Sequence, residues 1–150
     1  MLADDWMLVT AGNGTKFNMM TAGLGGLGRL FDKPVAFCFI APGSYTGQLM
    51  ENSETYTLSF YTEAYREALK ICGTRSGRDT DKVKATGLTP IVTPSGSPAF
   101  SEAWLIIECR KVAAQSLTPE ALADPRVKES WSGKPLHKMY IGEIFRVWVK

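Results

Sequence analysis

The chain has 150 residues, 45% of them hydrophobic and 21% charged, with a formal net charge of +2. That length and balance fit a single domain with a buried core and exclude a disordered polar segment. So small a charge gives no electrostatic case for nucleic acid or for an anionic membrane surface.

Read from the N-terminus, Met1-Leu2-Ala3-Asp4-Asp5 is acidic where a secretory leader is basic. No apolar run approaches the roughly 20 residues that span a bilayer, so a cytoplasmic location with no membrane partner is the expectation. Trp6 to Thr10 and Phe17 to Thr21 are β-rich runs flanking Asn13-Gly14, which predicts a hairpin over 6–21. Val35 to Ile40 is continuously apolar and reads as a strand buried on both faces, ended by Pro42 and Gly43. Ser44 is placed to cap a short helix running through Met50.

Thr55 to Tyr61 alternates polar and apolar residues as a strand does. Thr62 is a candidate N-cap for a helix from Glu63 to Cys72, in which Tyr65, Ala68, Leu69 and Cys72 form an apolar face. Gly73 is placed to end it. A further helix is expected over 79–86, closed by Gly87, and a loop over 93–98. Trp104 to Cys109 is a second strong strand within 103–114. Residues 118–135 hold a Thr-Pro-Glu helix start followed by Pro and Gly punctuation. Tyr140 to Val149 is a last strand. Strands dominate without regular βαβα alternation, so an antiparallel barrel or α+β arrangement is expected over a doubly wound sheet.

Gly23-Leu24-Gly25-Gly26-Leu27-Gly28 matches G-x-G-x-x-G. A dinucleotide fingerprint needs a helix opening within it. Here five residues separate Gly28 from Pro34 and a strand follows, whereas a parallel crossover needs about a dozen. The Rossmann reading therefore fails, and the glycines are read as a connection where backbone passes close to a neighbour.

The three cysteines, Cys38, Cys72 and Cys109, are isolated in apolar surroundings. They form neither a disulfide framework nor a zinc site and are expected in the core. His137 is the only histidine, which leaves no multi-His metal centre. No catalytic triad or acid–base pair stands out, and His137 is read as structural or interfacial.

The loop Cys72-Gly73-Thr74-Arg75-Ser76-Gly77-Arg78-Asp79-Thr80-Asp81-Lys82 joins two predicted helices. Hydroxyls, a glycine that admits close backbone approach, and guanidinium forks are the donors a phosphate group uses. The same composition also suits a solvated turn, and both readings stand at this point.

Several stretches in order carry a family resemblance. They are Trp6 to Gly12, Phe17 to Gly23, Gly25 to Gly28, Lys33 to Phe37, Tyr45-Thr46, the 72–82 loop, Thr86 to Pro90 and His137 to Glu143. Together they resemble the flavin reductase-like family, within it the flavoredoxin-like group, over nearly the whole chain. The resemblance implies a mainly β fold, an antiparallel Greek-key split barrel with short helices that binds FMN. It also implies a homodimer and electron flow from NADH or NADPH through flavin to a small-molecule or protein acceptor. By the same resemblance, Asn18, Met19, Met20, Thr21 and Ala22 would run along the flavin ring and ribityl chain. Ser76, Gly77, Arg78 and Lys82 would lie near the phosphate, with Tyr45 and Thr46 on its other side. Trp6, Phe17 and Tyr45 are candidate aromatics near the ring, and equally candidates for core packing. A non-enzymatic FMN electron carrier and a split barrel without FMN are the alternatives. Two positions depart from the family pattern: Leu24, where relatives often have Trp, and Ser44, where they commonly have Arg.

Overall fold

The computed structural model describes residues 5–23 and 25–150. Strands β1 (Met7–Gly12) and β2 (Phe17–Ala22) form the expected antiparallel hairpin. Its turn is held by Asn13, whose Oδ1 accepts from the backbone N–H groups of Thr15 and Lys16, each at 2.9 Å. This is the local bond that makes Asn a turn residue.

The glycine run is not a connection. Gly25–Leu30 is a strand, β3, paired antiparallel with β4 (Lys33–Ile40). The two are joined by Phe31 and Asp32, at φ of 53° and 57°. Two successive left-handed residues make the tight turn whose twist matches paired strands, and neither residue here is a glycine. The close approach expected of the glycines does exist. A Cβ at Gly26 would fall 2.7 Å from the Phe37 ring, and one at Gly25 would collide with the Phe37 carbonyl.

The remaining elements follow in order. They are α1 (Tyr45–Glu51), β5 (Thr55–Phe60), a 3-10 turn (Glu63–Tyr65), α2 (Arg66–Thr74), α3 (Lys82–Thr86), β6 (Pro90–Val92) and β7 (Pro98–Phe100). Then come β8 (Leu105–Ser116), a second 3-10 turn (Pro119–Ala121), α4 (Pro125–Ser130) and β9 (Lys138–Val149). Seven strands form one sheet in the order β2-β1-β5-β8-β9-β4-β3, with every pairing antiparallel. Its two edges, β2 and β3, are consecutive in sequence. Ala22 and Gly25 are three peptide units apart, at most about 11 Å, so the sheet must curl until its edges meet at this corner. The result is an antiparallel split barrel.

Both faces of the central strands are covered. Met7, Val9, Tyr56, Leu58, Phe60, Ile107 and Cys109 point into one apolar cluster with Ala36, Cys38, Ile40 and Tyr140. Leu8, Met19, Phe100 and Ile106 face a second, together with Leu69 and Cys72 of α2. Thr57 and Ser59, the polar half of the β5 alternation, are therefore fully buried. Thr57 finds a partner by donating to the Pro98 carbonyl at 2.8 Å. All three cysteines are buried and free, as expected.

Four local expectations need correction. The α2 segment opens with a 3-10 turn, and Thr62 makes no side-chain cap bond. Gly73 lies inside α2, which ends at Thr74. Its small size serves packing, because a Cβ there would stand 3.2 Å from Thr21 Cβ. The next helix begins at Lys82 and not near 79, since Asp81 supplies the cap by accepting from Lys84 N. The loop at 93–98 is only the tip of a small hairpin, β6–β7. The expected caps at Ser44 and Gly87 are present. Among the described residues no helix is long and apolar enough to cross a membrane.

Candidate functional site

Strand β2, the β4–α1 corner and the α2–α3 loop converge around a cleft of about 370 Å³. Its lining includes Asn18 and Met20 from β2, the 41–46 corner, the 72–78 segment and Lys82. A second cleft, of about 580 Å³, adjoins it. It shares Asn18, Tyr45, Gly77, Arg78 and Lys82 with the first, and adds Lys16, Phe17 and Met19 together with the acidic Asp79 and Asp81.

The floor is fixed by buried polar contacts. Asn18 Nδ2 donates to Thr46 Oγ1 at 3.0 Å, with both residues buried. Gly77 lies directly over the Asn18 amide, so closely that any Cβ there would overlap it. Lys82 is 5% exposed, and its Nζ donates to the carbonyls of Met19 (2.7 Å) and Cys72 (2.9 Å). One ammonium thus ties β2 to the end of α2, and burial holds its pKa below the ordinary lysine value.

The rim carries two exposed cations, Arg75 and Arg78. Arg78 Nη2 donates to Gln48 Oε1 at 2.9 Å, and its guanidinium carbon stands 5.5 Å from the Tyr45 ring centroid, within cation–π range. Its backbone N–H donates to Ser76 Oγ at 3.2 Å. The Ser44 hydroxyl accepts from Gly47 N at 3.1 Å and caps α1.

The structure therefore gathers Asn18, Met20, Tyr45, Thr46, Ser76, Gly77, Arg78 and Lys82 around the smaller cleft. Met19 is buried in the second apolar cluster and edges the larger cleft. Thr21 Oγ1 donates to the Leu69 carbonyl at 2.5 Å, and Ala22 packs into the first cluster. Trp6 stacks beneath Arg66, with 3.8 Å from guanidinium carbon to ring centroid. Phe17 meets Phe100 edge-on at 6.1 Å. Leu24 lies outside the described residues. Sequence reasoning did not single out Gln48 or the 41–43 corner. Gln48 was findable: it lies three residues after Tyr45, on the same helix face.

The lining of the smaller cleft has a clear electrostatic sense. It contains Arg75, Arg78 and Lys82 and, among its described residues, no Asp or Glu. A concave, partly apolar cleft with a cationic end suits a ligand with an apolar body and an anionic group. The donors at Ser76 and Arg78 suit a phosphate monoester.

A split barrel with such a cleft beside its edge strand defines a class of proteins, and the sequence places the chain within it. The chain belongs to the flavin reductase like domain family, whose model matches residues 2–150. Solved structures agree on the fold. Flavoredoxin of Desulfovibrio vulgaris (Miyazaki F) is similar with a TM-score of 0.76 and 23% identity, over 100% of this chain and 73% of that one. An FMN-binding protein from Thermus thermophilus matches with a TM-score of 0.76 and 19% identity, over 97% of this chain and 70% of that one. An NADH:FAD oxidoreductase from Streptomyces globisporus matches with a TM-score of 0.72 and 15% identity, over 97% and 74%. A search of curated proteins found no match.

Proposed function

We propose that the chain binds FMN in the cleft between β2, the β4–α1 corner and the α2–α3 loop, and passes electrons from NADH or NADPH to an acceptor. The observation that carries this reading is the smaller cleft itself, which has three cationic side chains and no acidic one among its described lining. FMN, when bound, supplies the electron-transfer chemistry, and the protein supplies binding, orientation and electrostatics.

The roles divide by position. Ser76, Gly77 and Arg78 hold the phosphate by hydroxyl, close backbone approach and guanidinium charge, and Tyr45 and Thr46 flank it. Lys82 acts mainly from the floor, keeping β2 and α2 at a fixed spacing while adding positive potential. Asn18 through Ala22 present the strand along which the ring and ribityl chain lie, with Met20 supplying apolar contact. Ser44 leaves the phosphate without the arginine common among relatives, so Arg78 carries more of its recognition. NADH or NADPH as donor rests on the family and on the likeness to an NADH:FAD oxidoreductase. A cytoplasmic homodimer belongs to the same reading, supported by the family resemblance.

FMN titration followed by flavin absorbance and fluorescence tests the binding step. Arg78→Ala is expected to weaken FMN about tenfold or more, and an unchanged dissociation constant removes Arg78 from the site. Anaerobic mixing of the FMN-loaded protein with NADH or NADPH then separates a reductase, which bleaches at a catalytic rate, from an electron carrier, which does not. Light scattering on a sizing column reads the oligomeric state.

A further inference from the structure

We propose that Gln48 is a positioning residue for phosphate recognition, acting by holding the Arg78 guanidinium over the cleft. The inference rests on the FMN reading above and adds to it a residue of α1 that lies outside the cleft lining and reaches it only through Arg78. Arg78 is exposed and carries a long side chain, whose rotamer freedom is lost when it is held on a ligand. Two contacts from one helix face restrict it in advance. Gln48 Oε1 accepts from Nη2 at 2.9 Å, and the Tyr45 ring lies 5.5 Å from the guanidinium carbon.

The chemistry of the partner matters as much as the contact. A neutral amide oxygen orients the guanidinium without cancelling its charge, whereas a carboxylate at the same place would neutralise it. The remaining donors of the five-donor fork stay available. Helix α1 is a firm base for this arm. Its far end is held by Lys111, whose Nζ donates to the Met50 carbonyl at 2.6 Å and the Glu51 carbonyl at 3.1 Å. Lys138 and Tyr140 both bond the Glu51 carboxylate. Near its other end Thr46 is bonded to Asn18. Gln48 therefore projects from a helix fixed at both ends, toward a loop that is otherwise exposed.

The test compares FMN with riboflavin, which lacks the phosphate, on the full chain. The variants are Gln48→Ala, Gln48→Met, Gln48→Glu, Arg78→Ala and the Gln48→Ala/Arg78→Ala double variant, each checked for an unchanged melting temperature. Gln48→Ala and Gln48→Met are expected to weaken FMN about three- to tenfold and leave riboflavin unmoved. Gln48→Glu keeps the acceptor but adds negative charge, and is expected to weaken FMN further. In the Arg78→Ala background, Gln48→Ala is expected to cost nothing more. Equal losses for FMN and riboflavin would overturn the proposal, because they mark a general structural role. An unchanged FMN constant in both neutral variants would overturn it too, as would additive losses in the double variant, which mean direct contact with the ligand. Failure of the FMN reading shows separately, as a wild-type protein that does not bind FMN.

Discussion

The Asn18 amide on β2 and the Thr46 hydroxyl on α1 share a buried 3.0 Å hydrogen bond directly beneath Gly77. One bond thus registers three separate elements that line the cleft: an edge strand, a short helix and a glycine-bearing loop. Thr46→Val removes the acceptor and leaves a buried amide unpaired, at a cost of about 1–3 kcal/mol. Chemical denaturation should read that loss, and Asn18→Leu in the same chain should not add to it in full.

Gly77→Ala probes the same corner from above. The new methyl overlaps the Asn18 amide, so either the loop lifts or the Asn18–Thr46 bond breaks. The expected result is a destabilisation of about 1–3 kcal/mol, with weaker FMN binding. Gly43→Ala is the control: its φ of +77° strains any side chain, but no atom lies within 4 Å of the added Cβ. It should cost stability while leaving the amide pair intact.

Acid should loosen α1 at the end away from the cleft. The Glu51 carboxyl is held below its ordinary 4.5, chiefly by hydrogen bonds from Lys138 and Tyr140. A carboxyl lowered in the folded state contributes stability that is fully present above about pH 4.5 and is lost as pH falls through the folded value. Glu51→Gln should therefore be less stable than wild type near pH 7, and the gap should narrow as pH falls below 4.5 and through the folded value. A gap that stays constant across that range would remove the ionised carboxylate from the account.

The cysteines should be silent in the native protein. Burial pushes the Cys38 thiol up to about 12 and the Cys72 thiol up to about 11, and raises Cys109 as well. The thiolate is the reactive species, so a thiol reagent at pH 8 should label none of the three until denaturant is added. Rapid native labelling would contradict their placement in the two clusters.

Much of this was legible because local chemistry and tertiary structure agree. The Asn13 turn, the Ser44 cap, the left-handed Gly87 and the apolar face of α2 each need only neighbours in sequence. The misses have non-local causes. Gly25–Leu30 has too few side chains to show a strand's alternation, and becomes one because β4 and Phe37 lie against it. Gly73 looks like a helix stop, yet it is small because Thr21 packs on it. The polar half of β5 looks solvent-facing, yet the β6–β7 hairpin packs on it, with Thr57 bonded to Pro98 and Thr55 to Ser97. Of the candidate site, residue types pointed to the 72–82 loop and the family resemblance added β2. The i, i+3 spacing puts Gln48 on the Tyr45 face of α1, but its contact with Arg78 spans 30 residues and is set by the tertiary fold.

The reading proposed for the cationic cleft between β2, α1 and the α2–α3 loop is that it takes FMN through its phosphate. Parallel titration of the wild-type protein with FMN and riboflavin, followed by flavin fluorescence and melting temperature, tests it most directly. The expected result is saturable FMN binding that raises the melting temperature, much weaker riboflavin binding, and loss of that preference in Arg78→Ala. A protein that binds neither flavin, or binds both alike, would contradict it.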